Sequence, residues 1–395
     1  MTINFSSVEH ARRLAQGRLP PAVYHYIQGG KENEQTSRAN ELAFGRILFE
    51  PHLGEAITKA DTRTKVLGRE IAMPVMIAPT GFIRIVHRDS EPGAARAAKA
   101  AGIPIVISHV SGAPARQICA LNDDTWFQLY MINGRKGVEA SIELARAAGC
   151  RVLAITVDLS AITPFDRISR PLPTKADFAN AVAFLPEVWN RPSWLFSLLA
   201  GGLTMNAPNA PPSSDGKVMA VAEVGKLLTA TPPTWDDVAW IRKQWDGPLL
   251  VKGVMRADDA RRALQCGADA VSVSNHGGKV IDGVPAAVSL LPEIVEAVDD
   301  KMEVLLDGGV RRGADIVRAC ALGAKAVMIG RPYLWGMAVA GESGVAAILR
   351  LFQRGVASTL AAIGCPSINA LDRSFLRPLP HQTQWNEAPP ATRFD

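Results

Sequence analysis

From residue 71 onward the chain repeats one unit: a short β-branched apolar run, then a longer Ala-rich segment of helical period. That is the pattern of βα units that build a parallel sheet. Eight such runs occur: PVMIA (74 to 78), PIVIS (104 to 108), WFQLY (126 to 130), RVLAITV (151 to 157), PLLVK (248 to 252), AVSVS (270 to 274), EVLLD (303 to 307) and AVMIG (326 to 330). Segments such as EPGAARAAKAAG and RADDARRALQCG lie between them, each ending in the Gly expected just past a helix C-terminus. Open doubly wound sheets tend to use five or six strands, whereas eight parallel strands close a barrel. The expected fold is therefore α/β, a (β/α)8 TIM barrel over 71–375, with a helical extension over 1–70 and a tail over 376–395.

One connection breaks the rhythm, with about ninety residues between the fourth and fifth runs. It holds the Trp- and Leu-rich FLPEVWNRPSWLFSLLAGGL, the Pro/Ser-rich NAPNAPPSSDGK and the helical PTWDDVAWIRKQW. An insert over 160–235 that begins on the face where barrel active sites lie predicts a lid. A flap packed on the barrel, a subunit contact and a peripheral membrane contact are the other readings.

Composition excludes several classes. The 48% hydrophobic and 21% charged content fits a globular chain, and the +5 charge is scattered, with no basic run to track nucleic-acid phosphates. Five cysteines, odd in number and never in a C-x-x-C pair, fit a reducing compartment. The N-terminal segment MTINFSSVEHARRLAQG lacks the apolar stretch of a signal peptide, so a cytoplasmic protein is expected. No metal is called for.

Barrel chemistry gathers at strand C-termini, and a phosphate is often held after strands seven and eight. Here the seventh runs into DGGVRRGAD and the eighth into GRP, where glycines admit an anion and Arg311 and Arg331 can donate to it. No P-loop or dinucleotide fingerprint is present, which favours a mononucleotide. The sixth strand ends in SNHGGK. His276 stands just past the sheet, and Asp158, after the fourth strand, is placed to hold one imidazole nitrogen and leave the other as a base. Lys252 ends the fifth strand, a cation able to stabilise negative charge on a reduced cofactor. Ser108, Gln128 and Thr156 end the second to fourth strands as partners for a heteroaromatic ring. Tyr130 sits beside them and can orient a substrate oxygen, with an amphipathic rim tyrosine as the plainer reading.

These residues resemble the FMN-dependent α-hydroxy-acid dehydrogenase and oxidase family over nearly the whole chain. VYHYIQGGKENEQT, MPVMIAPTG, WFQLY, TVD, LVKGV, VSNHGG, LLDGGVRRG and IGRP occur in family order. The resemblance implies that Pro79, Thr80 and Gly81 contact the flavin and that Ser108, Gln128, Thr156, Lys252 and Ser274 surround its ring. It implies that Asp307, Gly309, Arg311, Gly330 and Arg331 hold its phosphate, that His276 is the base oriented by Asp158, and that Tyr26 and Tyr130 bind substrate oxygens. A homo-tetramer is implied too. Gly81, where family oxidases tend to have Ala, favours an acceptor other than oxygen, a quinone or a carrier.

Two departures bear on the substrate. The family pairs the substrate carboxylate with arginines, but Phe165 and Lys279 stand at those positions, with Arg167 nearby as a candidate replacement. Lys is a point charge without the planar fork of Arg. A small-molecule substrate with OH or NH₂ beside a carbonyl is expected. The pre-mycofactocin synthase branch, similar at TPPTWDDVAWIR, VKGVMRADDA and AVMIGRPYLWG, implies an amino-lactam or another neutral amide as the alternative. Tyr26 stands where that branch differs. An FMN-dependent isomerase is the reading from another enzyme class.

Overall fold

The computed structural model describes residues 3–164, 186–202, 206–213 and 216–377. Phe165, Arg167, the central part of the insert and the tail after Arg377 lie outside the described residues. Three helices, α1 (Val8–Arg18), α2 (Pro21–Gln28) and α3 (Gln35–Phe44), form the N-terminal extension. A hairpin follows, β1 (Thr64–Val66) and β2 (Arg69–Ile71).

All eight expected runs are strands: β3 (Val75–Ile77), β4 (Ile105–Ser108), β5 (Thr125–Leu129), β6 (Val152–Thr156), β7 (Leu249–Val254), β8 (Ala270–Val273), β9 (Glu303–Asp307) and β10 (Ala326–Ile329). They pair in parallel in chain order, and β10 returns to β3 to close the barrel. Helices α4 (Ser90–Ala100), α5 (Ala115–Leu121) and α6 (Gly134–Ala148) follow the first three barrel strands. In the insert, α7 (Pro192–Gly201) and α8 (Val221–Leu227) precede α9 (Trp235–Gln244), the helix expected from PTWDDVAWIRKQW. The circuit continues with α10 (Ala257–Gln265), α11 (Ala287–Val298), α12 (Gly313–Ala321) and the long α13 (Arg331–Ala362).

A strand alternates its side chains between two faces, so each barrel strand presents every second residue inward. Near the strand N-termini these are Met76, Val106, Trp126, Val152, Leu250, Ala270, Leu305 and Met328, one apolar cluster that fills the interior. One step further along, the inward residues turn polar: Ser108, Gln128, Thr156, Lys252 and Asp307, all buried. A packed apolar floor therefore carries a polar ring on the C-terminal side.

The hairpin closes the opposite end. Leu67 and Gly68 both take positive φ, +45° and +82°, the geometry that suits a two-residue hairpin turn. Val66 and Ile71 join the interior apolar cluster, while Leu67 N donates to Glu303 Oε2 at 2.9 Å and Arg151 donates to Leu67 O at 2.8 Å. The extension expected to be helical to residue 70 thus ends in a β plug, because a Leu-Gly turn carries none of the Asn-Gly signal.

Cys119 and Cys150, distant in sequence, meet as thiols with their Sγ atoms 3.4 Å apart. α13 is the one described helix long and apolar enough to cross a membrane, but it is mostly buried and breaks at Ala340 and Gly341. It packs against α1, α4 and α12. Beyond the break it folds back so that Gly336 and Gly344 touch, and a Cβ on Gly344 would overlap the Gly336 carbonyl. Gly344→Ala is expected to cost about 1–3 kcal/mol by overpacking, read from urea denaturation with an unchanged m-value.

Candidate active site

The polar ring is internally bonded. Ser108 Oγ donates to Gln128 Oε1 at 3.0 Å, and Gln128 Nε2 donates to Thr156 Oγ1 at 2.9 Å. Across the barrel, Lys252 Nζ lies 2.9 Å from Asp307 Oδ2 and donates to Ser274 Oγ at 2.9 Å, and Ser274 Oγ donates to Asp307 Oδ1 at 2.8 Å. Burial would discharge Lys252, but Asp307 and Asp158 outweigh it and hold the ammonium above its usual value. The sequence reading gave Lys252 no partner and set Asp307 against a phosphate. Asp307 pairs with Lys252 and also lines the cavity.

Above this ring lies a cavity of about 340 Å³. His276, Tyr26, Tyr130 and Lys252 line it, as do Pro79, Thr80 and Gly81 from the loop after β3. Its far wall is Asp307, Gly309, Arg311, Gly330, Arg331 and neighbouring backbone. Ser108, Gln128, Thr156 and Ser274 sit beneath, fully buried.

His276 opens a tight turn, His276–Gly278, in which all three residues take positive φ. Its N–H donates to Ser274 Oγ at 3.1 Å, and its Nδ1 lies 3.1 Å from both oxygens of Asp158. Nε2 is the nitrogen left over. Burial alone would push the Asp158 carboxyl up, but His276 and Lys252 outweigh it and hold it below the usual carboxylate value. Room for Asp158 comes from a bulge at Gly253, with φ +104°, where a Cβ would stand 2.6 Å from the Asp158 side chain. Burial and Asp158 together push the Tyr130 phenol above its usual value, and burial does the same to Tyr26, so both stay protonated donors.

The two arginines expected to bind an anion have other partners. Arg331 donates to Ile27 O at 3.2 Å, Gly277 O at 2.9 Å and Gly29 O at 3.1 Å, tying the extension to the His276 turn. Arg311 donates to Glu41 at 2.6 Å and to Val310 O at 2.9 Å. Lys279 Nζ reaches Tyr26 O at 2.7 Å and Gly29 O at 3.0 Å, the carbonyl end of α2.

Four further residues escaped sequence reasoning. Asn40 and Asn275 exchange amide hydrogen bonds at 2.8 and 2.9 Å, joining α3 to the residue before His276. His109 Nδ1 accepts from Tyr130 N at 3.1 Å. Lys31 lines the cavity from the extension. Asn40 and Lys31 lie in the extension, away from any barrel strand, whereas His109 and Asn275 stand just past strand ends beside the residues that the pattern singled out.

The cavity fits a flavin mononucleotide on its own chemistry. Its floor offers hydroxyl and amide groups at the spacing of a polar heterocycle, with one ammonium beside them. Its far wall exposes backbone at two glycines between Asp307, Arg311 and Arg331: Gly330 has open space where a Cβ would project, whereas a Cβ on Gly309 would overlap the Asn40 carbonyl. A phosphate can approach such amides closely.

The family model for FMN-dependent dehydrogenase matches residues 15–378. The chain is similar to a pre-mycofactocin synthase of Mycolicibacterium smegmatis, 43% identical over 93% of this chain and 92% of that one. It is similar to an L-lactate oxidase of a Nostoc species, 36% identical over 92% and 96%. Among solved structures, the monotopic membrane protein (S)-mandelate dehydrogenase superposes with a TM-score of 0.85 at 32% identity, covering 95% of this chain and all of that one.

Two outcomes are expected. Asp307→Ala strands the buried Lys252 ammonium and should cost roughly 3–5 kcal/mol, measured by denaturation at a fixed excess of FMN, with Asp307→Asn costing less. Gly253→Ala should displace Asp158, slowing flavin reduction while leaving flavin content near one per chain.

Proposed function

The chain belongs to the FMN-dependent dehydrogenase family and takes FMN as its cofactor, and from that premise we propose that it oxidises a carbon bearing OH or NH₂ beside a carbonyl, with His276 as the base. The observation that carries this reading is the His276 and Asp158 pair: one imidazole nitrogen held at 3.1 Å from a buried carboxylate while the ring lines the cavity. Bound FMN supplies the acceptor for two electrons. His276 Nε2 takes the substrate proton, and the carboxylate of Asp158 stabilises the imidazolium that forms. Tyr26 and Tyr130 donate to substrate oxygens, and their closed environment keeps the phenols protonated through the transfer. Lys252 would hold positive charge beside the bound flavin, which would favour its reduced, more anionic form. Gly309, Gly330 and the amides around them hold the phosphate. This pairing of base and phenols favours net oxidation over isomerisation.

A second reading narrows the substrate to a neutral amide, an amino-lactam in the manner of the pre-mycofactocin synthase relative. It is supported by Lys279, whose ammonium is spent on the Tyr26 and Gly29 carbonyls, and by the absence of an arginine fork at that position. Peripheral membrane contact is a separate proposal. α7 packs one face on the barrel, where Trp194 Nε1 donates to Ile85 O at 2.8 Å, and turns Phe196 and Leu199 outward at 66% and 56% exposure beside Trp189 at 73%. Large apolar side chains grouped on one exposed helix suit an interfacial surface.

The first test is anaerobic bleaching of the yellow protein by 2-hydroxy acids, 2-hydroxy amides and 2-amino amides. Bleaching without added reductant is expected. His276→Ala should slow it by roughly 10²–10⁴-fold while keeping FMN bound, and isomerised product with no bleaching would sink the reading. For the surface, Phe196→Ser with Leu199→Ser should abolish co-sedimentation with anionic vesicles if the wild-type protein shows it. A wild-type protein that stays in the supernatant ends that proposal.

A further inference from the structure

We propose that His109 is a positioning residue for Tyr130: its imidazole holds the Tyr130 backbone N–H and so sets where the phenol meets an oxygen of the ligand. The inference rests on the reading above in which Tyr130 donates to a substrate oxygen, and it adds to that reading a residue behind the cavity wall.

β4 leaves the barrel ladder at Ser108, whose carbonyl turns to accept from Ser111 N at 3.0 Å. Tyr130 N, one residue past the end of β5, bonds to a side chain instead: it donates to His109 Nδ1 at 3.1 Å. A ring nitrogen that accepts from an amide carries no proton, so the proton of the neutral ring sits on Nε2. Nε2 lies 2.9 Å from Ser141 Oγ, and Ser141 Oγ donates to Gly137 O at 2.9 Å, which leaves its lone pairs for the imidazole. The bonds therefore run in one direction, from the Tyr130 amide through the ring to α6.

His109 is 0% exposed, and burial pushes its ring down to about 3, so it stays neutral at working pH. His276 lines the cavity, whereas His109 stands behind it and acts through its neighbours. Its ring meets Phe127 edge-on with centroids 5.5 Å apart, and its own N–H donates to Gln128 Oε1 at 3.4 Å. The insert covers this corner. Ala207 and Ala210 join Val110 and Tyr130 in one apolar cluster. Asn209, between them, donates to Ser111 Oγ at 2.7 Å and Ala113 O at 2.9 Å and accepts from Ala115 N at 2.8 Å. Without the imidazole, a buried Tyr130 N–H would be left unsatisfied, a cost that a shift of the backbone relieves. The phenol shifts with it.

The test uses the full-length FMN-loaded protein and oxamide, a neutral ligand whose carbonyls accept from a phenol and which has no C–H to lose, read from perturbation of the flavin spectrum. Tyr130→Phe removes the phenol donor and should weaken oxamide by roughly three- to tenfold, the loss of one hydrogen bond. His109→Leu should weaken it by a similar factor with FMN still bound at one per chain. Added to Tyr130→Phe, the same change should alter oxamide binding by less than about twofold, because no phenol remains to be placed. Two conservative variants separate positioning from packing. His109→Asn can put Oδ1 where Nδ1 stood and should restore oxamide, whereas His109→Gln can reach Ser141 but not the Tyr130 amide and should not. Should His109→Leu lose its flavin, the comparison of His109→Asn with His109→Gln decides alone. Additive losses in the double variant, rescue by His109→Gln and not by His109→Asn, unweakened oxamide in His109→Leu, or no oxamide perturbation in the wild type would each overturn the assignment. The oxidation reading fails separately: a protein that shows this coupling but is bleached by no hydroxy or amino substrate keeps the inference and loses that reading.

Discussion

A buried ammonium must be paired, and the pairing of Lys252 with Asp307 sets much of the site. Both are inward residues one step above the apolar floor, so closure of the barrel alone brings them together. Ser274 is fixed by bonding to both, and Ser274 in turn accepts from His276 N. The same ammonium helps hold Asp158 ionised from across the ring. Base, orienting carboxylate and cofactor-facing cation are thus one connected electrostatic unit. Its members cannot be placed independently, because each is desolvated and depends on the others for its charge state.

The second constraint comes from outside the barrel. Three consecutive residues with positive φ make the His276 turn intrinsically costly for His276 itself. The N-terminal extension stabilises it from several sides: Lys31 N on Gly278 O, Asn40 against Asn275, and Ser37 so close to Gly278 that a Cβ would stand 2.9 Å from its backbone nitrogen. Arg331 stitches the extension and the turn from the opposite wall. The extension through α3 forms an outer support of the cavity, and a barrel without it would leave His276 on an unsupported loop.

That division explains what the sequence displayed. The eight strands were legible because each is an apolar run, and in five of them a polar residue follows at a period of two near the C-terminus: Ser108, Gln128, Thr156, Lys252 and Asp307. His276 and Asp158 were legible as polar residues just past strand ends. Partners were not. Nothing local in Asp307 distinguishes a phosphate neighbour from a counter-ion for Lys252. Nor does the sequence show that Arg331 also donates to the carbonyls of Ile27 and Gly29, contacts that span about three hundred residues. Lys31 and Asn40 lie in an extension that pattern marks only as helical, and the hairpin turn at Leu67 and Gly68 lacks the usual turn residues.

The substrate question then becomes one of where a cation can be spared. Arginine binds a carboxylate by presenting a rigid fork, and the arginines on this wall also hold architecture: Arg331 donates to three carbonyls and Arg311 to Glu41 and its own loop. Lysines tolerate the opposite arrangement. A flexible ammonium can cap the carbonyl end of α2, as Lys279 does, or stand in the cavity. Such a site suits a substrate held mainly by its reacting end, with Leu159, Ile162 and Leu228 offering apolar surface to whatever extends beyond it.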